Sequence, residues 1–330
     1  FEGTNACNAN CTFCGYRFMQ RKKEVMNMEL YKLVLNQYCQ TEGGDLSFTP
    51  TVGDPLVDPN IILKIKLAAE KKQVKSIFMY TNGINIHRVG VDNLLKSGID
   101  RITISTYIGS NEGYQKYYGV RSYEQTMKNI LELSKASCEF RSSVKIFLAL
   151  RVETETNDWK NTDEFKEIEK YIPPSRISFL KTYDNWSGLI VDSDIPKGAT
   201  LEECIPYEEK IKSPCFELYR RMHIYPDGKV GACQCRDYDA EIVIGNINNN
   251  TIYEIWNSKK LKSLRNNWKS GGETPEVCRG CTRYEPIETY ISKNKYNIVM
   301  GKILINPFIN YLFGRRTTKT IGKNTSDNFG

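Results

Sequence analysis

Five short apolar runs constrain this chain more than any other feature: GDLSFTP (44–50), VKSIFMYT (74–81), IDRITIST (99–106), VKIFLALRV (144–152) and RISFLKT (176–182). Each is rich in Ile, Phe or Val and is short, so each reads as a buried strand. Helix-length segments alternate with them, at 27–39, 59–72, 87–97, 121–137 and 161–171. Such alternation predicts βα units and a parallel sheet, either open or rolled into a barrel. A further strand ending near Gly3 would bring the number to six. The alternation stops at YDNWSGLIVDSDIPKGATLEE (183–203), which places a boundary near residue 200. Residues 213–286 then hold five cysteines and the stretch MHIYPDGKVGAC, in which PDG is turn chemistry between two alternating runs.

The formal net charge is +7, but seven basic against two acidic residues from Ile287 to Gly330 put +5 of it in that end. The rest is nearly neutral, which argues against a nucleic-acid-binding surface. Only two histidines occur, His87 and His223, so imidazole chemistry is poorly supplied. No export signal is read ahead of the first cysteines. A reducing, cytoplasmic setting is therefore expected, where clustered thiols hold metal more often than they pair as disulfides. The stretch IVMGKILINPFINYLFGRR (298–316) is apolar with a basic end, but Lys302, Asn306 and Pro307 interrupt it, so it is too broken to span a membrane. It is expected to pack on the protein, with a weak membrane-surface contact as the alternative.

Cys7, Cys11 and Cys14 form C-x3-C-x2-C at the expected carboxyl end of a strand. Three thiolates on one tight loop can hold three irons of a cubane and leave the fourth iron open to a ligand. Zinc usually takes four protein ligands in pairs, so this spacing favours iron–sulfur. A structural metal remains open on spacing alone.

The neighbouring motifs resemble the radical S-adenosylmethionine (SAM) superfamily over nearly the whole chain to about residue 286. The resemblance implies a partial (β/α)6 TIM-like barrel over 1–200 whose cysteines hold a four-iron four-sulfur cluster that chelates SAM. Phe13 matches the aromatic placed beside the adenine. TVGDPLVDP (51–59) is similar to the segment that meets the SAM amino group, through Gly53 and Asp54, although the family usually has Glu where this chain has Asp54. YTNG (80–83) supplies Asn82, Ser105 matches a ribose-contacting serine, and Arg151 is placed to pair with the SAM carboxylate, a bidentate partner that suits a guanidinium. Singly, each could be a turn residue, a strand hydroxyl or a surface charge. Their succession at strand ends, where α/β folds bind ligands, points to a pocket.

A second set is Cys215, Cys233, Cys278 and Cys281. Four thiolates make a closed site, and a zinc ribbon is the alternative on spacing alone. Gly228-x4-Cys233 and IWNSKKLKSLR resemble the SPASM extension in its shortened twitch form. That implies one auxiliary four-iron four-sulfur cluster in a domain over 201–286, followed by a basic extension over 287–330. Cys39, Cys138 and Cys204 are expected to be packing residues.

By the same resemblance, the chain would draw an electron from a donor such as flavodoxin or ferredoxin, cleave SAM reductively and abstract hydrogen from a substrate. The four-cysteine spacing is similar to that of radical SAM dehydrogenases acting on aminocyclitols, so net oxidation of a small metabolite or glycan is expected. A peptide maturase and an epimerase are alternatives, and a non-catalytic electron-transfer module is the alternative of another class. Cys235, two residues after Cys233, would be the hydrogen donor of an epimerase or else a small packing residue. Tyr183 and Asp184, with Trp186, are candidates for substrate contact after the last strand.

Overall fold

The computed structural model describes residues 1–155, 158–210, 213–270 and 272–299. Its core is an α/β partial barrel. Strands β1 (Gly44–Ser47), β2 (Val74–Thr81), β3 (Arg101–Tyr107), β4 (Lys145–Arg151) and β5 (Ile177–Leu180) pair in parallel and in chain order. All five carboxyl ends therefore open at one edge. In β3 and β4 the register Tyr107↔Arg151 sets Ser105 and Arg151 on one side of the sheet, because successive side chains alternate. Ile102, Ile104, Leu148 and Leu150 fill the other side and are buried.

The expected sixth strand near Gly3 does not join this sheet. It touches β1 through Phe1 N, which donates to Ser47 O at 2.8 Å, but the rest of its backbone is bound elsewhere: Thr4 bridges Val25, Met26 N–H donates to Gly3 O at 2.8 Å, and Glu2 N–H donates to Ile224 O at 2.9 Å. Helix α1 (Met28–Tyr38) precedes β1, and α2 (Ile61–Ala69), α3 (Ile86–Val89), α4 (Val91–Leu95), α5 (Asn111–Tyr118), α6 (Tyr123–Glu139) and α7 (Asp163–Ile168) lie between the strands. The helix expected over 87–97 is split at Gly90, whose φ of 91° breaks the turn. Helix α5 was not expected; Ser110 caps it by accepting from Gly113 N–H.

Beyond the two-residue strands β6 (Thr182–Tyr183) and β7 (Thr200–Leu201) come α8 (Tyr207–Lys210) and α9 (Glu217–Arg220). The expected hairpin forms from β8 (His223–Ile224) and β9 (Lys229–Gly231), with Gly228 at φ 85° in the turn, and β10 (Val243–Asn246) adds a third strand. Helices α10 (Ile252–Trp256), α11 (Lys259–Lys269), α12 (Glu276–Arg279) and α13 (Ile287–Val299) complete the described chain. Among the described residues no helix is long and apolar enough to cross a membrane, and most of the 298–316 stretch lies outside them.

One ion pair sits within the barrel wall. Lys64 and Asp58 meet at 2.6 Å with both side chains fully buried, and Lys64 Nζ also donates to Met26 O at 2.7 Å. Removing one partner leaves the other charge buried and unpaired. Lys64→Met should lower unfolding free energy by about 3–5 kcal/mol. Urea unfolding should also show the double variant Asp58→Leu/Lys64→Met losing less than the single one. A loss in the double variant equal to the sum of the losses in Asp58→Leu and Lys64→Met alone would mean that the pair is not coupled.

Candidate functional site

The loop carrying Cys7, Cys11 and Cys14 is stapled to the end of α5. Asn10 N–H donates to Tyr118 O and Thr12 N–H to Tyr117 O, each at 2.9 Å. These are the last carbonyls of a helix, which have no partner within it. Gly119 follows at φ 69°, and a Cβ there would stand 2.8 Å from Asn10 O. The unexpected helix is thus the platform of the cysteine loop. Tyr16 N–H points at Cys14 Sγ from 3.5 Å, and Cys7 N–H donates to Tyr16 Oη at 3.1 Å.

The three thiols face one another. Burial, with Asp54 nearby, pushes the Cys7 thiol up to about 12. Burial and the neighbouring Cys14 and Cys7 raise Cys11 well above the ordinary thiol range, and burial raises Cys14. Such thiols stay neutral until a cation joins them, and a coordinating metal ionises them outright. Among the described residues no three His, Cys, Asp or Glu side chains close to the distances that one shared metal ion takes.

The other expected SAM residues surround this loop. Arg151 Nη1 donates to Ser105 Oγ, and its guanidinium lies 4.3 Å from the Phe13 ring centre. Asn82 Nδ2 donates to Asn8 Oδ1 at 2.8 Å and lies 3.8 Å from Cys7 Sγ. Gly53 has φ 120°, and a Cβ there would meet Asn5 at 2.9 Å, so its loop presses against the cysteine loop; Asp54 N–H donates to Ala6 O at 2.9 Å. The Asp54 carboxylate is held inside the protein. It accepts from Leu56 N–H, from Asn82 N–H at 2.6 Å and from the single Thr81 hydroxyl, which lies within reach of both its oxygens. Asp54 therefore braces the Gly53 loop against β2. Burial raises its carboxyl to about 6 despite those bonds.

Three buried polar atoms around the loop have no hydrogen-bond partner: Asn8 Nδ2, Arg151 Nε and Tyr183 Oη. Buried polar atoms are almost always satisfied, so these mark where a polar ligand fits. An amino acid carboxylate and ribose hydroxyls suit a guanidinium, an amide and a phenol. The residues present fit SAM and a cluster.

The second cysteine set also assembles. Cys215 precedes α9, Cys233 follows β9, and Cys278 and Cys281 flank the end of α12. Burial raises Cys278 well above its ordinary range, helped by Cys233, Cys215 and Cys281 beside it, and burial raises Cys281 to about 11. Cys235 belongs to this set, not to the SAM pocket. The segment is bent, yet Cys235 stays beside Cys233, and the interaction of the two thiols raises Cys235 and lowers Cys233. Its N–H also donates to Cys233 Sγ at 3.3 Å. Hydrogen bonds to sulfur tune a cluster's potential.

Between the two sets runs the 183–188 loop. Tyr183 is buried, with its ring 5.5 Å from Phe13. Asp184 is held by Arg236 at 2.6 Å, by Thr282 Oγ1 and by Trp186 N–H. Burial alone would raise its carboxyl, but the Arg236 bond and charge outweigh this and hold it below the usual range. Asp184 is thus an ionised anchor. Arg236 and Lys210 are residues that sequence reasoning missed. Lys210, fully buried, donates to Cys281 O at 2.7 Å, Arg279 O at 2.9 Å and Cys204 Sγ at 2.9 Å. It therefore secures the C-x2-C loop. Cys204 accepts that bond and faces the same loop. The position of Arg236 directly after Cys235 was the one available signal; Lys210 had none.

Comparison with known proteins now decides the family. The Radical SAM superfamily profile matches residues 1–166, half of the chain. The chain belongs to the radical SAM superfamily. An iron–sulfur cluster-binding domain, SPASM, matches residues 215–282. The chain is 20% identical over 307 residues to the PqqA peptide cyclase of Gluconobacter oxydans (strain 621H), covering 86% of this chain and 82% of that protein. It is 22% identical over 283 residues to the S-adenosyl-L-methionine-dependent 2-deoxy-scyllo-inosamine dehydrogenase of Niallia circulans, covering 85% and 90%. Among solved structures it resembles BtrN in complex with AdoMet and 2-DOIA, with a TM-score of 0.53, 19% identity and coverage of 85% and 90%. This radical SAM enzyme thus uses SAM, a SAM-binding four-iron four-sulfur cluster and an auxiliary one.

Anaerobic reconstitution should load about eight irons per chain, two cubanes. The triple variant Cys7→Ala/Cys11→Ala/Cys14→Ala should retain about half of that iron and no SAM cleavage; an unchanged iron count would refute the assignment of these ligands.

Proposed function

We propose that this enzyme oxidises a small hydroxylated metabolite of sugar or aminocyclitol type, passing the second electron to the auxiliary cluster. The observation that carries this reading is the 183–188 loop, which packs against both cysteine sets and so puts the SAM pocket beside the auxiliary site. The extent of the match to an aminocyclitol dehydrogenase, 90% of that protein's length, supports it. The cluster held by Cys7, Cys11 and Cys14, together with SAM, would supply one-electron radical chemistry able to take a hydrogen from an unactivated carbon.

The chain's own residues bind and shield. Cys7, Cys11 and Cys14 hold the first cluster, and Cys215, Cys233, Cys278 and Cys281 hold the second. Arg151 receives the SAM carboxylate, for which its unpartnered Nε offers a charged donor. Phe13 and Tyr183 bracket Arg151 with aromatic faces and limit water access. Ser105, steered by Arg151, is placed for a ribose hydroxyl. The Tyr183 hydroxyl, buried and unpartnered, faces the substrate side of the pocket.

A peptide-modifying reading is favoured by one observation: the similarity to a peptide cyclase spans 86% of this chain. Reduced, reconstituted protein should be incubated with SAM and both substrate classes. Mass spectrometry should find 5′-deoxyadenosine together with a cyclitol or sugar product lacking two hydrogens. A changed peptide with an unchanged cyclitol would select the second reading. Cys235→Ala should keep the product and shift the auxiliary cluster's potential, since the thiol beside Cys233 is removed while the backbone N–H stays. Loss of product with continued 5′-deoxyadenosine release would make Cys235 a hydrogen donor and the reaction an epimerisation.

A further inference from the structure

We infer that residues 183–188 form a rigid spacer that sets the separation and orientation of the two cluster sites, with Trp186 as its positioning residue. The inference rests on the two-cluster reading above. On the barrel side, Trp186 Nε1 donates to Phe13 O, the residue before Cys14, at 3.1 Å. The indole also lies flat against Gly15, the residue after Cys14. A Cβ at Gly15 would stand 2.4 Å from Trp186 Cε3 and 2.8 Å from Cζ3. The third cysteine of the SAM loop is thus bracketed by one indole.

On the auxiliary side, the next residue makes the matching contact. Ser187 Oγ donates to Val277 O at 3.0 Å, just before Cys278. The Ser187 backbone crosses Gly280, between Cys278 and Cys281, so closely that a Cβ there would meet Ser187 Cα and O at 2.8 Å. Both cysteine loops carry a glycine where this one segment touches them. Two adjacent residues therefore join one ligand loop to the other without an intervening element.

The segment is not free to move. Trp186, Ser187 and Gly188 take φ of 49°, 61° and 92°, three left-handed residues in succession. Such backbone persists in non-glycine residues only where surroundings hold it. Here Asp184 Oδ1 accepts Trp186 N–H at 2.6 Å, and Asp184 Oδ2 is paired with Arg236 at 2.6 Å and with Arg283 at 3.6 Å. The Arg236 guanidinium lies over the Trp186 ring at 4.6 Å. Loop, cation and indole form one clamp. A rate that depends on placing a substrate between two redox groups is sensitive to shifts of this scale.

The test uses full-length, anaerobically reconstituted protein without substrate, and reads iron content and the distance between the two reduced clusters by pulsed dipolar EPR. Wild type should give a narrow distance distribution. Trp186→Ala should keep wild-type iron but broaden and shift that distribution. Trp186→Phe, which retains a ring over Gly15, should restore most of the narrowness, a rescue that simple cavity filling by an aliphatic Trp186→Leu should not match. A wild-type distribution in Trp186→Ala overturns the inference. Should Trp186→Ala lose iron, Gly280→Ala decides: a shifted distance supports the spacer, and an unshifted one overturns it. Failure of the two-cluster reading looks different, since wild type itself would then hold one cluster's iron and give no distance.

Discussion

A thiolate is costly to keep out of water unless a positive charge shares its surroundings, and this chain shields seven thiols in two groups. Much of the architecture serves that constraint. The last carbonyls of α5 hold the first cysteine loop, and Lys210 holds the carbonyls of the second. Arg151 and Arg236 bring guanidinium charge beside the first and second groups, respectively, each supported by an aromatic face. The barrel and the hairpin unit are frames for two sets of sulfur.

The two frames are joined by buried hydrogen bonds as well as by the 183–188 loop. Glu2, fully buried, meets His223 of the hairpin at 2.8 Å and Arg21 at 2.8 Å. Thr51, in the loop that continues to Gly53 and Asp54, donates to Gln234 O at 3.2 Å and lies 3.4 Å from His223 Nε2. A segment expected to complete the barrel therefore ties the barrel to its neighbour instead. The SAM-binding edge and the auxiliary site share these contacts, so disturbance of one is felt at the other.

Much was legible in the sequence. The five strands fell close to the expected runs because buried parallel strands must be continuously apolar, and PDG gave the hairpin because that turn needs glycine at positive φ. Phe13, Ser105, Asn82 and Arg151 do gather around the first cysteine loop. Other features had no local signature. Helix α5 is polar in composition and rests on tyrosines buried by tertiary packing, so periodicity overlooked it. That the Asp54 carboxylate also takes bonds from Thr81 and Asn82 had no local signature, because those residues lie across the sheet edge. Cys235 read as free, yet its backbone N–H bonds the sulfur of Cys233.

By itself, the sequence determined the layered α/β class, the two cysteine sets and the family, because period, turn chemistry and ligand spacing are properties of neighbours along the chain. Only the tertiary structure decided that Asp184 is an anchor, that Lys210 and Arg236 serve the auxiliary site, and that one indole lies between two cysteine loops. Each of these depends on residues tens to hundreds of positions apart, such as Trp186 and Phe13, or Lys210 and Cys281. Their meeting is set by how the strands and the hairpin pack, and no local pattern encodes it.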